Sequence, residues 1–154
     1  MIPATTTRVQ QHTDETVNQA IRRRTEQSIH YYAGEGRALL DDRLVELEYE
    51  WDMERVLEAN AAGASLIGVG LGRLAGRRWF ILPGIVAVFL LQHAVQGWCP
   101  PVELFRRLGF RTASEIETER YALKIIRGDF HDVTWEEKPP SDQVAHILEM
   151  IERR

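Results

Sequence analysis

Between Ala59 and Trp98 the chain runs for forty residues with only three formal charges, Arg73, Arg77 and Arg78, set close together. A segment this long and this apolar has to be covered, by protein or by lipid. The arginines divide it. The second half, WFILPGIVAVFLLQHAVQGW (79–98), has no ionisable side chain except His93. As a helix its twenty residues would reach about 30 Å, the thickness of a bilayer core, and Trp79 and Trp98 bracket it as interfacial indoles would. The first half, about 59–72, reaches only about 21 Å. It spans only if Glu58 and Arg73 mark its boundaries and Arg73 snorkels.

Ala64, Gly68, Gly72 and Gly76 repeat every fourth residue. That spacing lets two helices approach closely in lipid. In water each glycine of 63–72 would cost a helix about 1 kcal/mol relative to Ala. These features predict an all-α chain: a two-helix transmembrane hairpin with amphipathic helical flanks, its first partner the lipid bilayer. The alternative is a soluble helical bundle with the hairpin as its core.

Charge divides the 154 residues the same way. Residues 1–53 have a balance of −4, residues 54–111 of +4 and residues 112–154 of −4. The expected organisation is therefore an N-terminal polar helical region, an apolar hairpin region and a C-terminal helical region. The N-terminus lacks the apolar run of a secretory signal, and residues 1–13 read as a mobile tail.

From Asp14 a helix is expected, with Val17, Ile21, Ile29 and Tyr32 on it, ending at Gly34-Glu35-Gly36. Its Arg22-Arg23-Arg24 run reads as a solvated face beside Glu15 and Glu26. Leu40, Leu44, Leu47 and Trp51 recur at intervals of four, three and four, one stripe of a second helix. No Pro or Gly interrupts that helix before Gly63, so it is expected to run on into the apolar segment. Pro100 and Pro101 start a short helix closed by Gly109. Thr112 and Glu115 form a capping box for a helix that Gly128 closes. Asp129 to Trp135 reads as irregular or as a short extended stretch, and Val144, Ile147, Leu148 and Ile151 mark a final helix.

The run Gln96-Gly-Trp-Cys-Pro-Pro-Val-Glu-Leu-Phe-Arg-Arg-Leu-Gly109 resembles the YgaP-like transmembrane family, small bacterial inner-membrane proteins of largely unknown function. The family pattern is an apolar hairpin, then Gly-aromatic-Cys-Pro and a Leu-Gly. Gly97, Trp98, Cys99, Pro100, Leu108 and Gly109 fill those places, and the likeness covers about residues 54–112. Some members carry a sulfur-transferring rhodanese domain with its cysteine in a loop. Here the only cysteine lies in the hairpin motif and the flanks read as helices, so that activity does not transfer.

Two groups of residues could carry chemistry. Cys99 would sit at a helix N-terminus, where a thiolate is favoured, so it is the candidate reactive thiol; its other reading is small apolar packing. Gln92, His93 and Gln96 form an intramembrane polar cluster. Its side chains need partners, interhelical hydrogen bonds to Ser65 or Asn60 being the plainest. No paired-cysteine, HExxH or phosphate-loop motif is present. Gly68-x-Gly70-x-Gly72 follows no expected strand, so no metal and no cofactor is expected. Acidic flanks argue against nucleic acid.

The expected function is structural: a membrane-embedded, self-associating homo-oligomer without defined catalysis, whose flanks can bind a protein partner. Thiol or sulfur handling through Cys99 is the alternative. The expected location is the inner membrane with cytoplasmic termini, because both polar flanks would otherwise need translocation. Arg106, Arg107 and Arg111 favour that orientation, against the three loop arginines.

Overall fold

Cap chemistry sets the helix boundaries in the computed structural model, which describes residue 4 and residues 6–130. A short α1 (Arg8–Gln11) leads to α2 (Glu15–Gly34), capped by the Asp14 carboxylate on the Thr16 N–H at 2.8 Å. Then come α3 (Arg37–Tyr49), α4 (Met53–Leu74), a 3-10 turn (Arg77–Phe80), α5 (Ile81–Gln96), α6 (Pro100–Leu108) and α7 (Ala113–Arg127). Pro100 and Pro101 occupy the first turn of α6, and the Thr112–Glu115 capping box opens α7.

The run expected from Arg37 into the apolar segment is broken. At Glu50 the backbone turns extended (φ −63°, ψ 127°), and Asp52 restarts a helix by accepting the Arg55 N–H at 2.8 Å. Arg111, 61 residues away from Glu50, fixes this joint with bonds of 2.8 and 2.6 Å to the Glu50 carboxylate. Its carbonyl also accepts the Met53 N–H at 2.7 Å. No local breaker residue was needed, because a tertiary partner supplies the break.

Two apolar cores result. In one, Leu40, Leu44 and Leu47 of α3 pack with Ile116 and Leu123 of α7 and with Ile29 and Tyr32 of α2. Trp51, expected on the same stripe, lies in the joint itself, half-exposed, with the Arg55 guanidinium 4.5 Å from its ring centre. The other core joins Val9 of α1, Met53 and Leu57 of α4, and Cys99 and Val102 at α6, with Phe89, Leu90, Phe105 and Phe110 against them. Residues 8–13 are therefore not the tail expected: Val9 is buried, and the Thr13 hydroxyl donates to its carbonyl at 2.8 Å.

Buried ion pairs tie the cores together. The Glu119 carboxylate, 0% exposed, accepts from Arg43 Nε at 2.9 Å, from Ser28 Oγ at 2.6 Å and from Arg111 Nη1. Arg111 also donates to Thr25 Oγ1 at 3.1 Å. One carboxylate and one guanidinium thus unite α2, α3, α7 and the α6–α7 turn. Arg106, likewise fully buried, holds both oxygens of Glu115 at 2.6 and 2.8 Å and reaches Asn18 Oδ1 at 2.9 Å.

This architecture corrects the expectation of a transmembrane hairpin with appended flanks. Among the described residues one helical stretch, 77–96, is long and apolar enough to cross a membrane, by length and composition, with 6% of its apolar window buried. The other limb, α4, does not supply a second span. Met53, Val56, Leu57 and Ala61 of its lower half lie in the protein interior, and Glu54 in its first turn is ion-paired. The flanks are the walls of a helical bundle with a charged, buried interior. A bilayer partner, an inner-membrane location with cytoplasmic termini, and a membrane-embedded hairpin as the function all rested on two spanning limbs, and they fall with them. The final helix expected from Val144, Ile147, Leu148 and Ile151 lies outside the described residues, as do residues 131–135.

Removing one partner of a buried pair leaves the other charge uncompensated, at a cost of about 3–5 kcal/mol. Glu119→Gln should therefore lower unfolding stability by about 3 kcal/mol in urea titrations. Arg22→Gln, which removes an exposed i,i+4 pair with Glu26, should change it by less than about 0.5 kcal/mol.

Candidate functional site

The hairpin has a polar base and an apolar arm. At the base, Glu54 of α4 faces His93 of α5, with Oε2 to Nε2 at 2.8 Å, while Arg8 Nη2 donates to Oε1 at 3.0 Å. An ionised carboxylate only accepts, so His93 Nε2 carries the proton. Arg8 Nη1 also donates to the Ala94 carbonyl at 3.2 Å, which closes α1 onto the end of α5. Gly97 is required there twice over. Its φ of +77° is left-handed, and a Cβ would lie 2.5 Å from Cβ of Arg8.

His93 is therefore drawn to Glu54 rather than to Ser65 or Asn60, and the Asn60 amide donates instead to the Val56 carbonyl at 2.8 Å. Gln92 is half-buried and Gln96 exposed, and neither side chain makes a hydrogen bond among the described residues. The structure brings one member of the expected polar cluster into a network and leaves the other two outside it.

Cys99 caps α6 at the floor of an apolar cleft of about 250 Å³, lined by Leu57, Ala61, Ala64, Phe89, Pro101 and Phe105. Burial pushes the thiol above its ordinary value, outweighing the Val102 N–H, and Glu54 adds in the same direction. The helix N-terminus argued for the opposite shift. At 1% exposure the sulfur sits as small apolar filling would.

The small residues of α4 are occupied within the hairpin. A Cβ on Gly68 would meet Pro83 Cδ at 2.6 Å, and one on Gly72 the Phe80 ring at 2.9 Å. Gly76, at φ +130°, forms the turn, and Ala64 lines the Cys99 cleft.

Beyond this base the arm turns apolar side chains outward. Leu66 is 74% exposed, Leu74 90% and Val88 62%, with Ile67, Ile81 and Leu91 also exposed. A shallow recess of about 570 Å³ runs over Ile81, Gly84, Ile85, Val88 and Phe89. Arg73, Arg77 and Arg78 at its tip are exposed and have no ion-pair partner among the described residues. At the base a groove of about 390 Å³ is rimmed by Glu48, Asp52, Glu58 and Glu117, with Arg55 and Arg120 among them. Among the described residues no group of three or more His, Cys, Asp or Glu side chains is arranged to hold a metal ion.

Sequence reasoning missed the ion-pair residues. From sequence, Arg106 and Arg111 read only as orientation signals and Glu115 only as a cap. One signal could have exposed Glu119: it lies three residues after Ile116 and four before Leu123, a charge in an apolar stripe position. Arg106 sits four residues after Val102 in the same way.

No protein-family model, curated protein or solved structure matches this chain. The YgaP-like likeness of residues 54–112 therefore remains an expectation from sequence, and the surface is read on its own chemistry.

The base carries a pH signature. The His93 hydrogen bond, followed by that from Arg8, holds the Glu54 carboxyl at about 2, against an ordinary 4.5. Its contribution is complete above the ordinary value and disappears as the pH falls towards about 2. Stability measured by denaturant titration across that window should fall more steeply for the native chain than for Glu54→Gln.

Proposed function

We propose that this chain is an interaction protein: a helical bundle that self-associates through the apolar arm of its hairpin. The exposed apolar surface beyond the base carries this reading. Leu66, Ile67, Leu74, Ile81, Val88 and Leu91 stand in solvent on a pair of helices that pack chiefly on each other and on the turn between them. Stable monomers rarely leave contiguous apolar patches larger than a few hundred Å² uncovered. Each such side chain gains about 1.5–3 kcal/mol from full burial, which gives association its driving force.

The bundle supplies the mount. Its Glu115 and Glu119 carboxylates are ion-paired with Arg106, Arg43 and Arg111, which suits a rigid support. The tight Gly68–Pro83 and Gly72–Phe80 contacts hold the two limbs as one unit, so little ordering entropy opposes association.

Sedimentation equilibrium from about 1 to 100 µM, the range in which a modest interface assembles, tests the reading. The native chain should show a mass above that of the monomer, rising with concentration. A variant combining Leu66→Glu, Val88→Glu and Leu91→Glu should stay monomeric with an unchanged helical circular dichroism spectrum. A native chain monomeric throughout that range, or one that pelleted with lipid vesicles as a monomer, would overturn it.

A further inference from the structure

One exposed face of α4 carries Glu58 towards its base, one turn past the Trp51-stacked Arg55, and Arg73 at its tip. Glu58, Ala62, Leu66, Val69 and Arg73 follow at intervals of four, four, three and four residues, which aligns them along one side of the helix. All five are exposed. Gly68 and Gly72 lie on the side turned to α5 and its turn, so this stripe is a different surface. Neither Glu58 nor Arg73 has an ion-pair partner among the described residues, and about 22 Å of helix separates them. Leu66 stands near the midpoint. Beside it, Gly70 has nothing within 4 Å of where a side chain would begin, which leaves room for a close helix.

We propose that a second copy of this chain covers this face, its α4 antiparallel to the first about a two-fold axis near Leu66. The inference rests on the self-association proposed above and specifies its geometry. Antiparallel pairing sets Arg73 of each copy against Glu58 of the other and buries Ala62, Leu66 and Val69 between them. Parallel pairing would set Arg73 on Arg73 and Glu58 on Glu58, so charge selects against it. A two-fold contact uses the same patch on both subunits, and this patch complements itself only in the antiparallel sense.

The wider charge distribution agrees. The tip that carries Arg73 also carries Arg77 and Arg78, and the base that carries Glu58 also carries Glu48, Asp52 and Glu117 against Arg55 and Arg120, a balance that stays acidic. Four turns of paired helix would cover roughly 500 Å² of each copy, less than the ~800 Å² of a standard interface, so the dimer is a reversible one.

Charge reversal tests the geometry, because both charges are exposed and outside the cores. Arg73→Glu and Glu58→Arg should each weaken dimerisation by about tenfold or more, read by sedimentation equilibrium at low salt. The double variant should recover most of the loss, and all three should keep the native melting curve. If the dimer is indifferent to the single reversals, or the double variant fails to recover, the antiparallel α4 pairing is wrong while self-association through another face stands. If the native chain shows no dimer at about 100 µM, both readings fail.

Discussion

The Arg111 guanidinium meets three segments that nothing local would bring together: Thr25 of α2, Glu50 at the end of α3 and Glu119 of α7. Its carbonyl also fixes the first residue of α4 through the Met53 N–H. Ion pairs of this kind owe little to Coulomb energy alone, since desolvating both partners costs several kcal/mol each. Their worth lies in geometry. A carboxylate at 0% exposure that accepts from Arg43, Ser28 and Arg111 can be satisfied in only one arrangement of the surrounding helices. Arg106 acts likewise nearer the hairpin, where it meets the capping-box carboxylate of Glu115 and the amide of Asn18.

The hairpin is built on this frame through its base. Glu54, His93 and Arg8 join three elements across a small polar contact, and the Cys99 core fills the space beside it. Above the base the composition changes within two turns, from a protein interior to a surface of leucine, isoleucine and valine. Below it the exposed groups are mostly acidic, and at the far end they are basic. The functional reading rests on that division between an ion-paired support and an apolar arm left in solvent.

Much of the helical content was legible in the residues. Asp14, the Thr112–Glu115 box, the Pro100-Pro101 start and the Gly109 and Gly128 stops all act as their chemistry requires. The 40–44–47 stripe packs a core, since period 3.6 is a local property. Long-range partners were not legible. The break at Glu50–Asp52 has no local cause, and the docking of residues 8–13 depends on Ala94 and Glu54. The membrane reading failed for a related reason. Apolar composition reports that a segment needs cover, and it does not say whether buried leucines such as Leu57 find that cover in phenylalanines or in acyl chains.

Arg8 has a consequence for how the chain is made. Its bond to Ala94 closes a span of 86 positions, and Thr25 and Arg111 are likewise 86 apart. Contacts this distant in sequence pay for loop closure before they are rewarded, which slows folding. During synthesis from the N-terminus, α1 to α4 emerge with Glu54 and Thr25 facing guanidinium and imidazole groups that have not yet been translated or have nowhere to dock. Thr25, Glu50 and the core of Val9 and Met53 therefore lack their long-range partners until α6 and the first residues of α7 have been made.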